Sequence, residues 1–164
     1  MSAHHSNTVL ISVDGSSEAD HALTWYANTM WKDTDKVVLV YCPEWYDLTD
    51  ASPGVIQDLS KKIESHSMDV RRHYEEMMQK LKINGKFRVV NCSKPGHGVI
   101  TMIDEVKATY VLTGTRGQGK IRRTILGSVS DYIVHHSPVP VVVARREKQH
   151  KHEEREDGEF KPMV

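Results

Sequence analysis

The run Lys36-Val-Val-Leu-Val-Tyr-Cys42 limits what this chain can become more than any other stretch. After the lysine the run is continuously apolar save for the Tyr41 hydroxyl, with no charged side chain among its residues. A strand of that composition has no face to turn toward water. Strands of this kind sit inside parallel sheets covered by helices on both sides, whereas antiparallel strands with one wet face alternate. Helices must therefore stand before and after it.

The flanking sequence supplies them. Thr8-Val-Leu-Ile-Ser-Val13 is β-rich and ends in Asp14-Gly15-Ser16-Ser17, a turn with capping hydroxyls. Ala19, Ala22, Leu23, Tyr26, Ala27 and Met30 then recur at helical steps. Beyond Pro43 and Ser52-Pro53-Gly54, residues 55–83 predict a helix about 43 Å long at 1.5 Å per residue. Its apolar stripe is Ile56, Leu59, Ile63, Val70, Tyr74, Met77 and Leu81, with Ser67 bridging the gap, and its methionines read as packing residues. Lys86–Asn91 is a third strand, Pro95-Gly96 opens a third helix through Val106, and Thr109–Thr113 is a fourth strand. Ile125 to His136 predicts a fourth helix, and Val139–Ala144 a last strand. Strict alternation of strand and helix points to one open, mostly parallel sheet with helices on both faces. In that class ligands bind beyond the carboxyl ends of strands, where the strand order reverses. Asp14-Gly15 and the segment from Gly114 stand at such ends, and they line one crevice if the first and fourth strands are neighbours.

The segment Gly114-Thr-Arg-Gly-Gln-Gly-Lys-Ile-Arg-Arg-Thr-Ile-Leu-Gly-Ser128 admits three readings as a phosphate loop. A Walker loop needs a hydroxyl after the lysine to hold Mg²⁺, and Ile121 follows Lys120. A dinucleotide fingerprint fails because Arg122 occupies the place of its third glycine. The third reading takes the spacing as Gly114-x2-Gly117-x9-Gly127-Ser128. Glycines directly after a strand let backbone amides approach an anion, and Gly127-Ser128 opens a helix whose positive end suits one. Ser128 adds a donor that can also cap that helix. Between the two ends runs a basic excursion through Lys120, Arg122 and Arg123.

Taken with its flanking elements, this spacing resembles the nucleotide loop of the universal stress protein family. The resemblance covers residues 8–145 and includes Val13-Asp14-Gly15-Ser16, the Pro95-Gly96 helix start and Ser137-Pro-Val-Pro-Val-Val-Val143. It implies a Rossmann-like, adenine nucleotide alpha hydrolase-like α/β fold, a five-stranded parallel sheet in the order 3-2-1-4-5. It also implies the ATP-binding subgroup, with ATP, ADP or AMP as ligand and Mg²⁺ possible with the phosphates. By position, Asp14 matches the acid at the ribose or metal–phosphate region. Cys42 matches the residue whose main chain meets the adenine edge, with Ser12 and Val13 close by. Thr113, Gly114, Thr115, Arg116 and Gly117 match the first half of the phosphate loop, and Gly127, Ser128 and Val129 the second. Arg116 departs from members with a smaller or neutral residue there, and Thr109 from a common Asp.

Composition narrows the partners. Lys plus Arg and Asp plus Glu are each 22 of 164 residues, so the net charge of zero gives no footprint for nucleic acid or an anionic membrane. No apolar run approaches the about 20 residues of a membrane-spanning helix, and the first residues lack the pattern of a signal peptide. A cytoplasmic protein is the expectation. Cys42 and Cys92 fit no metal or redox spacing and read as free thiols in a reducing compartment, with a disulfide between them as the minor alternative. Residues 1–7 read as a flexible start, 8–145 as the domain, and 146–164 as a charged tail expected to be disordered.

No nucleophile, base and orienting group come together in the sequence, so catalytic residues and metal ligands are expected to be absent and binding is better supported than turnover. The functions left open are an ATP-binding stress-response regulator, a slow Mg²⁺-dependent ATPase or autophosphorylating enzyme, and a nucleotide-free interaction protein. Pro138 and Pro140 suit an edge strand, and an exposed Val141-Val142-Val143 edge would invite pairing. The resemblance points the same way, to a homodimer through residues 139–144. Sedimentation at micromolar concentration should give a species of twice 18.7 kDa, and a species of 18.7 kDa alone would refute the dimer.

Overall fold

The computed structural model describes residues 6–115 and 126–146. In chain order the elements are β1 (Thr8–Val13), α1 (Ser17–Thr29), β2 (Lys36–Tyr41), α2 (Pro53–Lys80), β3 (Gly85–Val89), α3 (Pro95–Val106), β4 (Tyr110–Gly114), α4 (Ser128–His136) and β5 (Val141–Ala144). The five strands form one parallel sheet in the order β3-β2-β1-β4-β5. This is the predicted α/β architecture. From β1 the chain steps outward to β2 and β3, then returns to the other side of β1 for β4 and β5. The order reverses between β1 and β4, which are paired with Ile11 opposite Leu112.

Strand residues alternate between two cores. Val9, Ile11, Val13, Val37, Leu39 and Tyr41 face α1 and the second half of α2, joining Leu23, Tyr26, Val70 and Tyr74. Leu10, Val38, Val40 and Val111 face α3 and α4, joining Val99, Met102, Ile103 and Ile133. Both faces of β2 are thus dry, as its uninterrupted apolar composition requires.

Helix ends follow local chemistry. Ser16 caps α1 by accepting from the Ala19 amide at 3.2 Å, and Ser52 caps α2 by accepting from Val55 at 3.4 Å with Pro53 in the first turn. α2 stops at Lys80, short of the predicted 83, because Lys82 adopts φ 57° and turns the chain into β3. Only Val70, Tyr74 and Met78 of α2 are buried; Ile56 is 37% exposed and Val55 54%. The predicted stripe therefore overstates the buried face in the first half of this helix. α4 begins at Ser128 and not at Ile125, with Gly127 as its N-cap. β5 begins only at Val141, after Pro140, whose carbonyl accepts from the Val111 amide at 2.9 Å. No helix among the described residues is long and apolar enough to cross a membrane.

A buried carboxylate ties the opposite end of the sheet. Asp35, 6% exposed, accepts from the Tyr26 hydroxyl at 3.0 Å, the Asn7 side-chain amide at 3.1 Å and the Asn7 and Lys32 backbone amides, each at 3.3 Å. Asp35→Ala would take from the fully buried Tyr26 hydroxyl the carboxylate it donates to, leaving Tyr110 as its hydrogen-bonding neighbour. Urea unfolding of that variant should show a loss of about 3 kcal/mol with an unchanged slope, because several buried donors lose one acceptor.

Candidate functional site

All strands run the same way, so Val13, Tyr41 and Gly114 end at one edge of the sheet, and the turns that follow them share it. The β1 turn is built by its own side chains. Asp14 Oδ1 accepts from the Ser16 amide at 2.9 Å, which folds the chain back into α1. Gly15 takes φ 79°, the left-handed region that glycine enters without cost, and its amide donates to the Tyr74 hydroxyl at 3.2 Å. Burial, and next the Asp20 carboxylate, hold the Tyr74 phenol well above its ordinary range. It stays a neutral hydroxyl anchoring this turn to α2.

The fourth strand ends under α1. A Cβ on Gly114 would stand 2.8 Å from the Glu18 carbonyl oxygen and 3.0 Å from its carbon. Gly114 is therefore needed by packing, because the first turn of α1 lies directly on it. That reason is separate from any phosphate. The Gly114 carbonyl accepts from the Ser130 hydroxyl at 2.7 Å, and Ser130 Oγ also meets Thr113 Oγ1 at 3.1 Å. Both hydroxyls are buried, so Thr113 has only its main chain to offer a ligand. One bond then joins the two halves of the predicted loop: the Gly127 amide donates to the Thr115 carbonyl at 2.8 Å. The corner after β4 and the corner before α4 are adjacent, on the same edge as Asp14.

This bond occupies the Gly127 amide, which the spacing alone leaves open for an anion. The Asp131 amide makes the first intrahelical bond of α4, to the Gly127 carbonyl at 2.8 Å. The amides of Ser128, Val129 and Ser130 precede it and have no acceptor within the helix, where the dipole is positive. Ser128 is exposed as the first helical residue and does not cap α4. This donor set, three successive amides and a hydroxyl, fits phosphate oxygens.

Of the remaining predicted residues, Ser12 and Val13 lie at the end of β1, opposite Val40 and Tyr41 of β2. Cys42 follows β2 and is half-buried; its thiol points to the Pro95 carbonyl at 3.6 Å. Burial, followed by the neighbouring Cys92 thiol, pushes the Cys42 thiol up to about 12. Arg116, Gly117, Lys120, Arg122 and Arg123 lie outside the described residues. His97 stacks on Tyr132 with ring centres 4.7 Å apart, and Tyr132 on His136 at 3.9 Å. Among the described residues no three His, Cys, Asp or Glu side chains gather as a metal site. Sequence reasoning missed Ser130 and Tyr74, which hold the two turns in place. A hydroxyl two residues past the helix-opening Ser128 was the available signal for the first; Tyr74 looked like any core aromatic.

Comparison with known proteins agrees with this layout. The model of the universal stress protein family matches residues 5–145. An uncharacterized protein of Schizosaccharomyces pombe is 28% identical over 142 residues, covering 85% of this chain but only 23% of its own length. A putative universal stress protein of Staphylococcus saprophyticus is 28% identical over 148 residues, 86% of this chain and 84% of that one. Among solved structures, the universal stress protein UspA of Lactobacillus plantarum superposes with a TM-score of 0.74 at 20% identity, over 87% of this chain and all of that one. A universal stress protein family protein from Arabidopsis thaliana, solved with AMP bound, gives 0.65 at 16% identity, over 86% and 92% of the two chains. At such identities the structural likeness is one of fold.

Two substitutions probe the frame of the crevice. Gly114→Ala drives a methyl into the α1 backbone and should cost about 1–3 kcal/mol. Ser130→Ala removes the donor to the Gly114 carbonyl and should cost about 1–2 kcal/mol. Chemical denaturation checks both; a neutral Gly114→Ala would show that α1 does not rest on the end of β4.

Proposed function

The chain belongs to the universal stress protein family, and we propose that it binds ATP in the crevice between β1 and β4 as a nucleotide-dependent regulator of a stress response. The single observation that carries this reading is the Gly127–Thr115 backbone bond. It holds the start of α4 at the end of β4, so that the amides of Ser128 and Val129 and the Ser128 hydroxyl share an edge with Asp14. In this reading those donors take phosphate oxygens, with Gly114-x2-Gly117-x9-Gly127-Ser128 as the enclosing loop and Thr115, Arg116 and Gly117 completing it. Asp14 takes the ribose or the Mg²⁺–phosphate region. The main chain at Ser12, Val13 and Cys42 borders the adenine. AMP in the related Arabidopsis structure supports an adenine nucleotide as the ligand class.

Regulation then follows from differential affinity: bound nucleotide stabilises whichever state of the protein holds it better. The proposed dimer supplies a second state. β5 is an edge strand, and its Val141, Val142 and Val143 are only half-buried. Pairing two such edges across a two-fold axis would cover them with one patch used twice.

Mass spectrometry of small molecules released from the gently purified protein, followed by calorimetry with ATP, ADP and AMP, tests the reading. Gly127→Val is the informative variant. Residue 127 has φ −59° and ψ 153°, a conformation valine adopts readily, so the backbone need not change. The branched side chain would stand where phosphate is proposed to sit, and ATP affinity should fall at least about tenfold, or 1.4 kcal/mol. A native chain that binds none of the three nucleotides would overturn the proposal.

A further inference from the structure

Cys42 and Cys92 are far apart in sequence, yet the fold brings them together. β2 and β3 are paired from Val37 opposite Gly85 to Tyr41 opposite Val89, and the Val90 amide continues the ladder to the Tyr41 carbonyl at 2.9 Å. The two cysteines therefore leave the sheet at the same end. Both turn toward the opening of α3: the Cys92 thiol reaches the Lys94 carbonyl at 3.4 Å and the Cys42 thiol the Pro95 carbonyl at 3.6 Å. Between them lies Gly98. A Cβ there would stand 2.6 Å from Cys92 Sγ and 2.9 Å from Cys42 Sγ. Both sulfurs thus flank a single point and can be no farther apart than those two lengths end to end. Any larger residue at position 98 would force them aside.

From this juxtaposition we propose that Cys42 and Cys92 form a paired oxidation site, closed to an intramolecular disulfide by a hydroperoxide. A disulfide requires an S–S distance of about 2 Å and Cβ atoms about 3.5–4.5 Å apart. Rotation of two half-buried side chains that already converge supplies the approach. Cys92 reacts first: it lies in the β3–α3 loop among the exposed residues Asn91, Ser93 and Lys94, while burial keeps Cys42 protonated. The Cys92 sulfur attacks the peroxide, the O–O bond breaks, and the alcohol (water, from hydrogen peroxide) leaves. Cys92 is then a sulfenic acid. The Cys42 sulfur attacks that sulfur, the S–S bond forms and the S–O bond breaks. Hydroxide departs and, with the Cys42 proton, becomes water. Two thiols have lost two electrons and two protons, which the peroxide has gained. The bond would fasten the end of β2 to the loop that enters α3.

The test uses the full chain, treated with hydrogen peroxide, then denatured in the presence of iodoacetamide and weighed intact and as peptides. The expected result is a monomeric product lighter by two hydrogen atoms, unalkylated, with Cys42 and Cys92 joined in one cross-linked peptide pair. Cys42→Ser should instead carry Cys92 on to the sulfinic acid, since no second thiol waits to trap the sulfenic acid. Three results in the native chain would each overturn the proposal: both cysteines still alkylated, Cys92 as sulfinic acid beside an alkylated Cys42, or disulfides found only between chains. The native chain alone decides among these outcomes, whether or not the Cys42→Ser variant folds.

Discussion

A parallel sheet that is dry on both faces has only its rims left for chemistry. β2 sets this condition, since its apolar run demands cover on either side, and α1 with α2 and α3 with α4 provide it. Everything that can meet a ligand is thereby pushed to the turns. At one rim Asp35 collects the hydrogen bonds of Tyr26, Asn7 and Lys32 and acts as a structural tie. At the other, the turns after β1, β2 and β4 share one edge, and there the first amides of α4 have no acceptor within the helix.

The open rim is held by contacts that face inward. Ser130 bonds the Gly114 carbonyl, Thr115 accepts from Gly127, and Tyr74 receives the Gly15 amide. Each fixes one corner of the rim, and Ser130 also meets Thr113 Oγ1. Preorganisation of these corners spares a ligand the cost of fixing them. It also explains the division of labour within α4, where Ser130 is buried as a brace and Ser128 is exposed two residues earlier.

Much of this architecture was legible in the residues. Continuous apolar strands, helical periodicity and turn chemistry led to the element order, and the spacing from Gly114 to Ser128 led to the family. The misses have physical causes. Helical periodicity measures a stripe but not what covers it, so the first half of α2 looked more buried than it is. The apolar Ile125 suggests an earlier start for α4, whereas the cap geometry at Gly127 decides the boundary. A glycine directly after a strand suggests room for phosphate at Gly114; its contact with the Glu18 backbone is tertiary and leaves no trace in local sequence. That Cys42 and Cys92 meet is a minor alternative in local sequence, since it depends on the register of β2 against β3 and on the small residue at 98.

The contact between α1 and Gly114 has a consequence for how such a crevice can diversify. A residue that serves the scaffold and, in the proposed site, its mouth cannot be changed freely, because any side chain there also presses on the first turn of α1. If the crevice binds nucleotide as proposed, a change of ligand preference is expected at neighbours without that double duty, such as Ser128, whose side chain meets solvent. Gly114 itself is held by the helix that rests on it.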